Sequence, residues 1–133
     1  MDMEQYFMVN NRIALHWGDW EGVAEALDYI QTTKDSWIIR NVDTGEKIQI
    51  AKVAPRVGTK FDYTELQRHV KGLIEVVPVV NDQYHDWKDF VILVNEEGIQ
   101  LNLPMSPVSR RGNYFKGHTL FGNVLIVHES NWE

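Results

Sequence analysis

The side chains best suited to chemistry lie together toward the C-terminal end of a 133-residue chain, in Ser109-Arg110-Arg111-Gly112-Asn113-Tyr114-Phe115-Lys116-Gly117-His118. The guanidinium forks of Arg110 and Arg111 match the two-pronged geometry of a phosphate or carboxylate, and Lys116 adds a compact positive charge. Tyr114 and Phe115 offer aromatic faces on which a base can stack, and the two glycines let backbone come close to a ligand. Residues 98–128 contain no Asp or Glu, so the loop sits in an acid-free stretch of an otherwise acidic chain. That pattern reserves a place for an anion. The expected ligand set is Arg110, Arg111, Asn113, Tyr114, Phe115, Lys116 and His118, and the expected ligand is an anionic, nucleotide-like small molecule. The same residues also suit a plainer role, with the aromatics covering the open end of a sheet and the bases solvating its edge.

A second stretch, Tyr84-His85-Asp86-Trp87-Lys88-Asp89, is rich in aromatic residues between two strands. Tyr and Trp are common anchors of protein interfaces, so Tyr84, His85 and Trp87, with Trp132 near the C-terminus, are the expected contact residues for a protein partner. A Trp beside a strand can equally fold back onto the core. Glu21, Glu25 and Asp28 could face a basic partner or simply form a solvated helix face.

Other chemistries find little support. The chain has no cysteine, which removes disulfides, thiol nucleophiles and thiolate metal sites. The histidines at 16, 69, 85, 118 and 128 include no pair at the spacing that puts two ligands on one helix face, so no metal site is expected. His69 reads as a half-buried packing residue. There is no Gly-x-Ser-x-Gly elbow, no phosphate-binding glycine loop and no dinucleotide fingerprint. Glu96 and Glu97 are adjacent in a turn, where two carboxylates point apart and are solvated. No catalytic residue and no cofactor is expected, and the chain reads as a non-enzymatic binding protein.

The charge balance narrows the partners. Thirteen basic and nineteen acidic residues give a formal net charge of −6, against a direct nucleic-acid binder. Residues 32–71 run the other way, with eight bases against five acids. The longest apolar runs, such as Phe90-Val91-Ile92-Leu93-Val94, fall far short of the ~20 residues of a membrane helix. Asp2 and Glu4 stand where a signal peptide would be basic, so the expectation is a cytoplasmic protein.

The elements that must position these residues follow from periodicity. Residues 12–17 alternate as a first strand. Asp19 then caps a helix over 20–31, with Trp20, Val23, Ala24, Leu27 and Ile30 at helical spacing. Residues 36–42 and 47–53 form a hairpin about Gly45. Asp62 and Glu65 have the spacing of a capping box before a second helix over 63–71, stopped by Gly72. Residues 73–80 are strand-like, but Pro78 confines that strand to an edge. Phe90–Val94, apolar on both faces, is the candidate central strand. Asn95-Glu96-Glu97-Gly98 turns into a strand at 99–103, and the last strand spans 123–127. The expectation is α+β over residues 1–133 as a single domain, with a curled, mainly antiparallel sheet of about seven strands and two helices.

Leu66-Gln67-x-x-Val70-x-Gly72-x-Ile74-Glu75-Val76-Val77, then Val91-x-Leu93-Val94-Asn95-Glu96-Glu97-Gly98, Leu103-Pro104 and Gly122-Asn123-Val124-Leu125-Ile126-Val127 resemble a small domain-of-unknown-function family. That family is carried mainly by bacteriophages, plasmids and other mobile elements. The resemblance covers about residues 50–128 and leaves the strand, helix and hairpin of residues 1–49 unmatched. It implies an accessory protein acting by binding in a host bacterial cytoplasm. Such a protein inhibits a host protein, including a defence component, or sequesters a nucleotide signal. Strand edges and Trp132 also make a homodimer conceivable.

Overall fold

In a computed structural model, residues 12–42, 47–78, 87–110 and 119–132 are described. Along the chain come β1 (Arg12–His16), α1 (Trp20–Gln31), β2 (Ser36–Val42), β3 (Lys47–Val53), α2 (Tyr63–Val70), β4 (Ile74–Val77), β5 (Phe90–Asn95) and β6 (Val124–His128). Short 3-10 turns occupy Pro107–Arg110 and Glu129–Asn131.

Both helices start where their caps place them. The Asp19 carboxylate accepts the Gly22 N–H at 3.0 Å, satisfying a donor that the first turn leaves unpaired. α1 then buries Val23, Ala26, Leu27 and Ile30. It ends where the hydroxyls of Thr32 and Thr33 donate to the carbonyls of Tyr29 and Ile30. In α2 the capping box closes in both directions. Asp62 accepts from Glu65 N at 2.8 Å, and Glu65 accepts from the backbone N–H groups of Asp62 and Arg56. Glu65 is buried, and these two backbone donors supply its carboxylate with partners.

The stop of α2 differs from the sequence expectation. Lys71, not Gly72, takes the left-handed conformation, with φ 62°. Gly72 is needed for space, because a Cβ there would lie 2.6 Å from Asn95 Nδ2. Asn95 uses that space to donate to the carbonyls of Val70 and Lys71, at 3.2 and 3.0 Å, while its own oxygen accepts Glu97 N.

The strands pair antiparallel throughout, in the order β1-β3-β2-β6-β5-β4. The β2–β3 hairpin is present, and β6 inserts between β2 and β5 through the registers Trp37↔Ile126 and Ile92↔Ile126. The sheet does not close, and β4 with its following Pro78 forms one edge as expected. β6 is buried along all five residues and lies deeper in the sheet than β5.

Side-chain alternation divides the sheet into two faces. Ile13, Trp37, Ile39, Ile48, Ile50, Ile92, Val124 and Ile126 pack under α1 in one core. Ile38, Leu93, Leu125 and Val127 pack with Leu66 and Val70 of α2 in the other.

The expected seventh strand, residues 99–103, is a run of turns among the described residues. Leu101 N donates to Glu97 O, Asn102 N to Ile99 O and Leu103 N to Gly98 O, while Asn102 has φ 54°. Helical-type bonds consume the donors a ladder would need, and Ile99 and Leu101 are left exposed. Among the described residues the fold is therefore α+β with a six-stranded sheet.

Candidate functional site

The expected ligand loop grows from a hydrogen-bonded stem. After Leu103 the chain runs through Pro104 to Val108 and comes back through Thr119 to Gly122. Ser106 N donates to Leu120 O at 2.7 Å, Gly122 N donates to Pro104 O at 2.7 Å, and Met105 and Phe121 form a β-bridge. Val108 and Leu120 anchor the two arms in the α1-side core. Asn41 of β2 donates to Met105 O at 3.0 Å and ties the stem to the sheet. At the foot of the stem, the buried Ser106 Oγ and Asn41 Oδ1 have no hydrogen-bond partner.

Arg110 is the last residue of the 3-10 turn that ends the outgoing arm. Arg111, Asn113, Tyr114, Phe115, Lys116 and His118 lie outside the described residues. The stem thus brings the two ends of this segment together, with Arg110 at one end and Thr119 at the other. A cleft of about 90 Å³ beside the return point is lined by Val94, Asn95, Thr119, Leu120 and the carboxylate-bearing Glu75 and Glu96. Those carboxylates give the cleft the wrong sign for an anion, so any anion binding falls to the loop's own side chains.

Of the expected protein-contact residues two are described, and they lie against different cores. Tyr84 and His85 lie outside the described residues. Trp87 is fully buried, edge-on to Phe90 at 5.6 Å, so it folds back onto the α1-side core and has no surface to offer a partner. Trp132 is half-buried and lines an apolar cleft of about 140 Å³ with Phe61, Tyr63 and Leu66, at the start of α2. Tyr63 is exposed there, and Lys60 Nζ donates to the Trp132 carbonyl at 3.1 Å.

Two histidines have defined surroundings. His69 stands edge-on to Phe61 at 6.0 Å, and burial holds its pKa below the usual 6.5, helped by the positive charges of Arg40 and Arg68 and opposed by Glu65. His128 Nδ1 lies 2.9 Å from Ser130 Oγ, a hydroxyl–imidazole pair of the kind nucleophilic catalysis uses. The same nitrogen accepts the Ser130 N–H, so the pair closes a local turn after β6. Among the described residues no group of three or more His, Asp or Glu is placed to hold a metal ion.

The sequence pattern of the C-terminal two thirds has a common geometric meaning. Asn95 and Asn123 both donate to the last carbonyls of α2, Asn123 to His69 O at 2.9 Å. Gly122, at φ 81°, brings its backbone so close to Leu103 that a Cβ would lie 2.8 Å from Leu103 Cδ1. The pattern therefore docks α2 onto β5 and β6 and fixes the stem. A family model described as "Domain of unknown function (DUF3846)" matches residues 39–133. The chain belongs to this family. No curated protein and no solved structure matches it. The DUF3846 region begins within β2, earlier than the resemblance at about residue 50, and leaves β1 and α1 outside. Both still belong to the same sheet and core as the DUF3846 region, β1 through its pairing with β3 and α1 through the apolar cluster it shares with β2, β3, β5 and β6.

Among the described residues no helix is long and apolar enough to cross a membrane. Sequence reasoning missed one further grouping, the basic residues Arg12, His16, Arg40 and Lys47, which register places on one face of β1, β3 and β2. Their signal was present: in β1 and β3 the residues alternating with the buried isoleucines are basic or neutral, never acidic.

Proposed function

We propose that this DUF3846 protein is a non-enzymatic binding protein, of the accessory type that mobile elements encode, which captures an anionic, nucleotide-like ligand on the segment 110–118. The reading rests on the stem. Hydrogen bonds at 2.7 Å, a β-bridge and two buried anchors hold both ends of a segment carrying three bases and two aromatics. Fixing the ends of a binding segment lowers the entropy lost when it closes on a ligand. Arg110, Arg111 and Lys116 supply charge, and Tyr114 or Phe115 supplies a stacking face. The alternative function, inhibition of a host protein, uses an interface in place of this loop.

The test is isothermal titration with a panel of mono-, di- and cyclic nucleotides. Binding by the intact chain, lost in Arg110→Ala/Arg111→Ala at an unchanged melting temperature, is the expected result. Equal affinity in that variant, or no binding across the panel, rejects the reading. Steady turnover of a nucleotide would return the enzyme reading.

A further inference from the structure

The registers of β1, β3 and β2 line up three rows of side chains: Arg12 beside Ala51 and Ile38, Ala14 beside Gln49 and Arg40, and His16 beside Lys47 and Val42. Ile38 belongs to the core beneath α2, so all three rows look to the α2 side of the sheet. α2 itself packs on β4, β5 and β6. Beyond it, Arg12, Ala14, His16 and Lys47 are exposed, Gln49 and Arg40 are half-buried, and Ala51 packs at the margin of the α2-side core. Among the described residues no carboxylate lies on it. The acids there stand elsewhere, Glu21, Glu25 and Asp28 on the outer surface of α1 across the sheet, and Asp62 and Glu65 in the α2 cap.

In a chain of net charge −6, a half-face whose described residues are basic or neutral, opposite an acidic helix, is a strong separation of charge. Its geometry is prepared for recognition. Arg40 is held by a hydrogen bond from its guanidinium to Gln49 Oε1 at 3.3 Å, and successive rows are spaced by about 6.8 Å, twice the strand rise. Ala14 and Ala51 keep the floor low, so a polypeptide can come near it with its carboxylates directed to the arginine forks. A single nucleic-acid strand fits less well, because the three rows contain no Phe, Tyr or Trp on which bases could stack. We infer that the open half-face of β1, β3 and β2 is a docking surface for an acidic segment of a partner protein, with Arg12 and Arg40 as its principal carboxylate contacts. This surface is independent of the segment 110–118 and stands or falls apart from it.

The test uses the full chain and a fluorescein-labelled deca-glutamate peptide, read by fluorescence anisotropy at low and high salt. Saturable binding that weakens with salt is expected. In Arg12→Ala/Arg40→Ala the affinity falls about ten-fold or more, as it does in Arg12→Gln/Arg40→Gln, which keeps side-chain bulk if the alanine pair proves poorly folded. Arg110→Ala/Arg111→Ala binds as the parent chain does, and amide shifts on titration cluster on β1, β3 and β2. Absence of binding, loss in the loop variant instead of the sheet variants, or tighter binding of an oligothymidylate of the same length overturns the inference.

Discussion

The two faces of the sheet are built from the same strands and finished differently. On the α1 side, a twelve-residue helix, Trp87, Val108 and Leu120 close over the isoleucines of five strands. On the other side, α2 has eight residues, packs mainly on β4, β5 and β6, and leaves Arg12, Ala14, His16 and Lys47 of β1 and β3 exposed. A long amphipathic helix with a wide apolar stripe can seal a face, whereas a short one docked by polar contacts leaves an area free for other uses. The lesson is that stability and recognition are divided between faces: one side holds the fold together and the other remains available.

Substitutions can break or sharpen that division. The largest loss is expected on the sealed face, where Trp37 is 1% exposed, stands edge-on to Tyr29 and donates through its ring N–H to Thr33. Trp37→Ala should cost about 3–5 kcal/mol in urea unfolding, and a loss under ~1 kcal/mol would mean this face is not the main core. Next comes the polar docking of α2. Asn95→Ala strands the carbonyls of Val70 and Lys71 and should cost about 1–3 kcal/mol. Gly72→Ala should destabilise through its clash with Asn95 Nδ2. The pair together should cost less than the sum of the singles, and strict additivity would show that the two do not share one contact.

A smaller effect is expected at the border between the covered and open halves. Because burial lowers the His69 pKa in the folded chain, the unfolded chain binds its proton more readily, so stability present above about pH 6.5 is lost as the pH falls through the lower folded value. His69→Gln should flatten that acid-side decline in melting temperature. An identical decline in the variant would assign it to other groups. The smallest effect is expected on the open half, where Arg12→Ala/Arg40→Ala should change stability by no more than about 0.5 kcal/mol. A large loss there would make the basic rows part of the fold and erase the distinction between the faces.

Local signals were legible from the sequence where a single segment decides the outcome. Asp19, Asp62 and Glu65 announced both helices, because a cap works within four residues, and Pro78 announced the edge strand. Residues 99–103 misled because Ile99, Leu101 and Leu103 alternate as a strand does, yet alternation makes a strand only where a partner supplies the ladder. Gly72 reads from the sequence as the stop of α2 because glycine is the common choice after a helix. Its actual reason, the side chain of Asn95 more than twenty residues on, is a tertiary contact that local reading does not reach. The basic half-face was half legible. Alternation showed which residues avoid the core, but only the pairing of β1 with β3 shows that they gather on one side. The segment 110–118 remains a reading of residue types, now given a fixed point of attachment.

That point of attachment also bears on how the chain can change over generations. Since the arms at Pro104–Val108 and Thr119–Gly122 are already joined, the segment between them can be exchanged without rebuilding anything beneath it. Doubling the length of such an insert costs only about 0.6 kcal/mol of closure entropy. The stem thus works as a socket, in which new sequence can be tried at little expense to the scaffold.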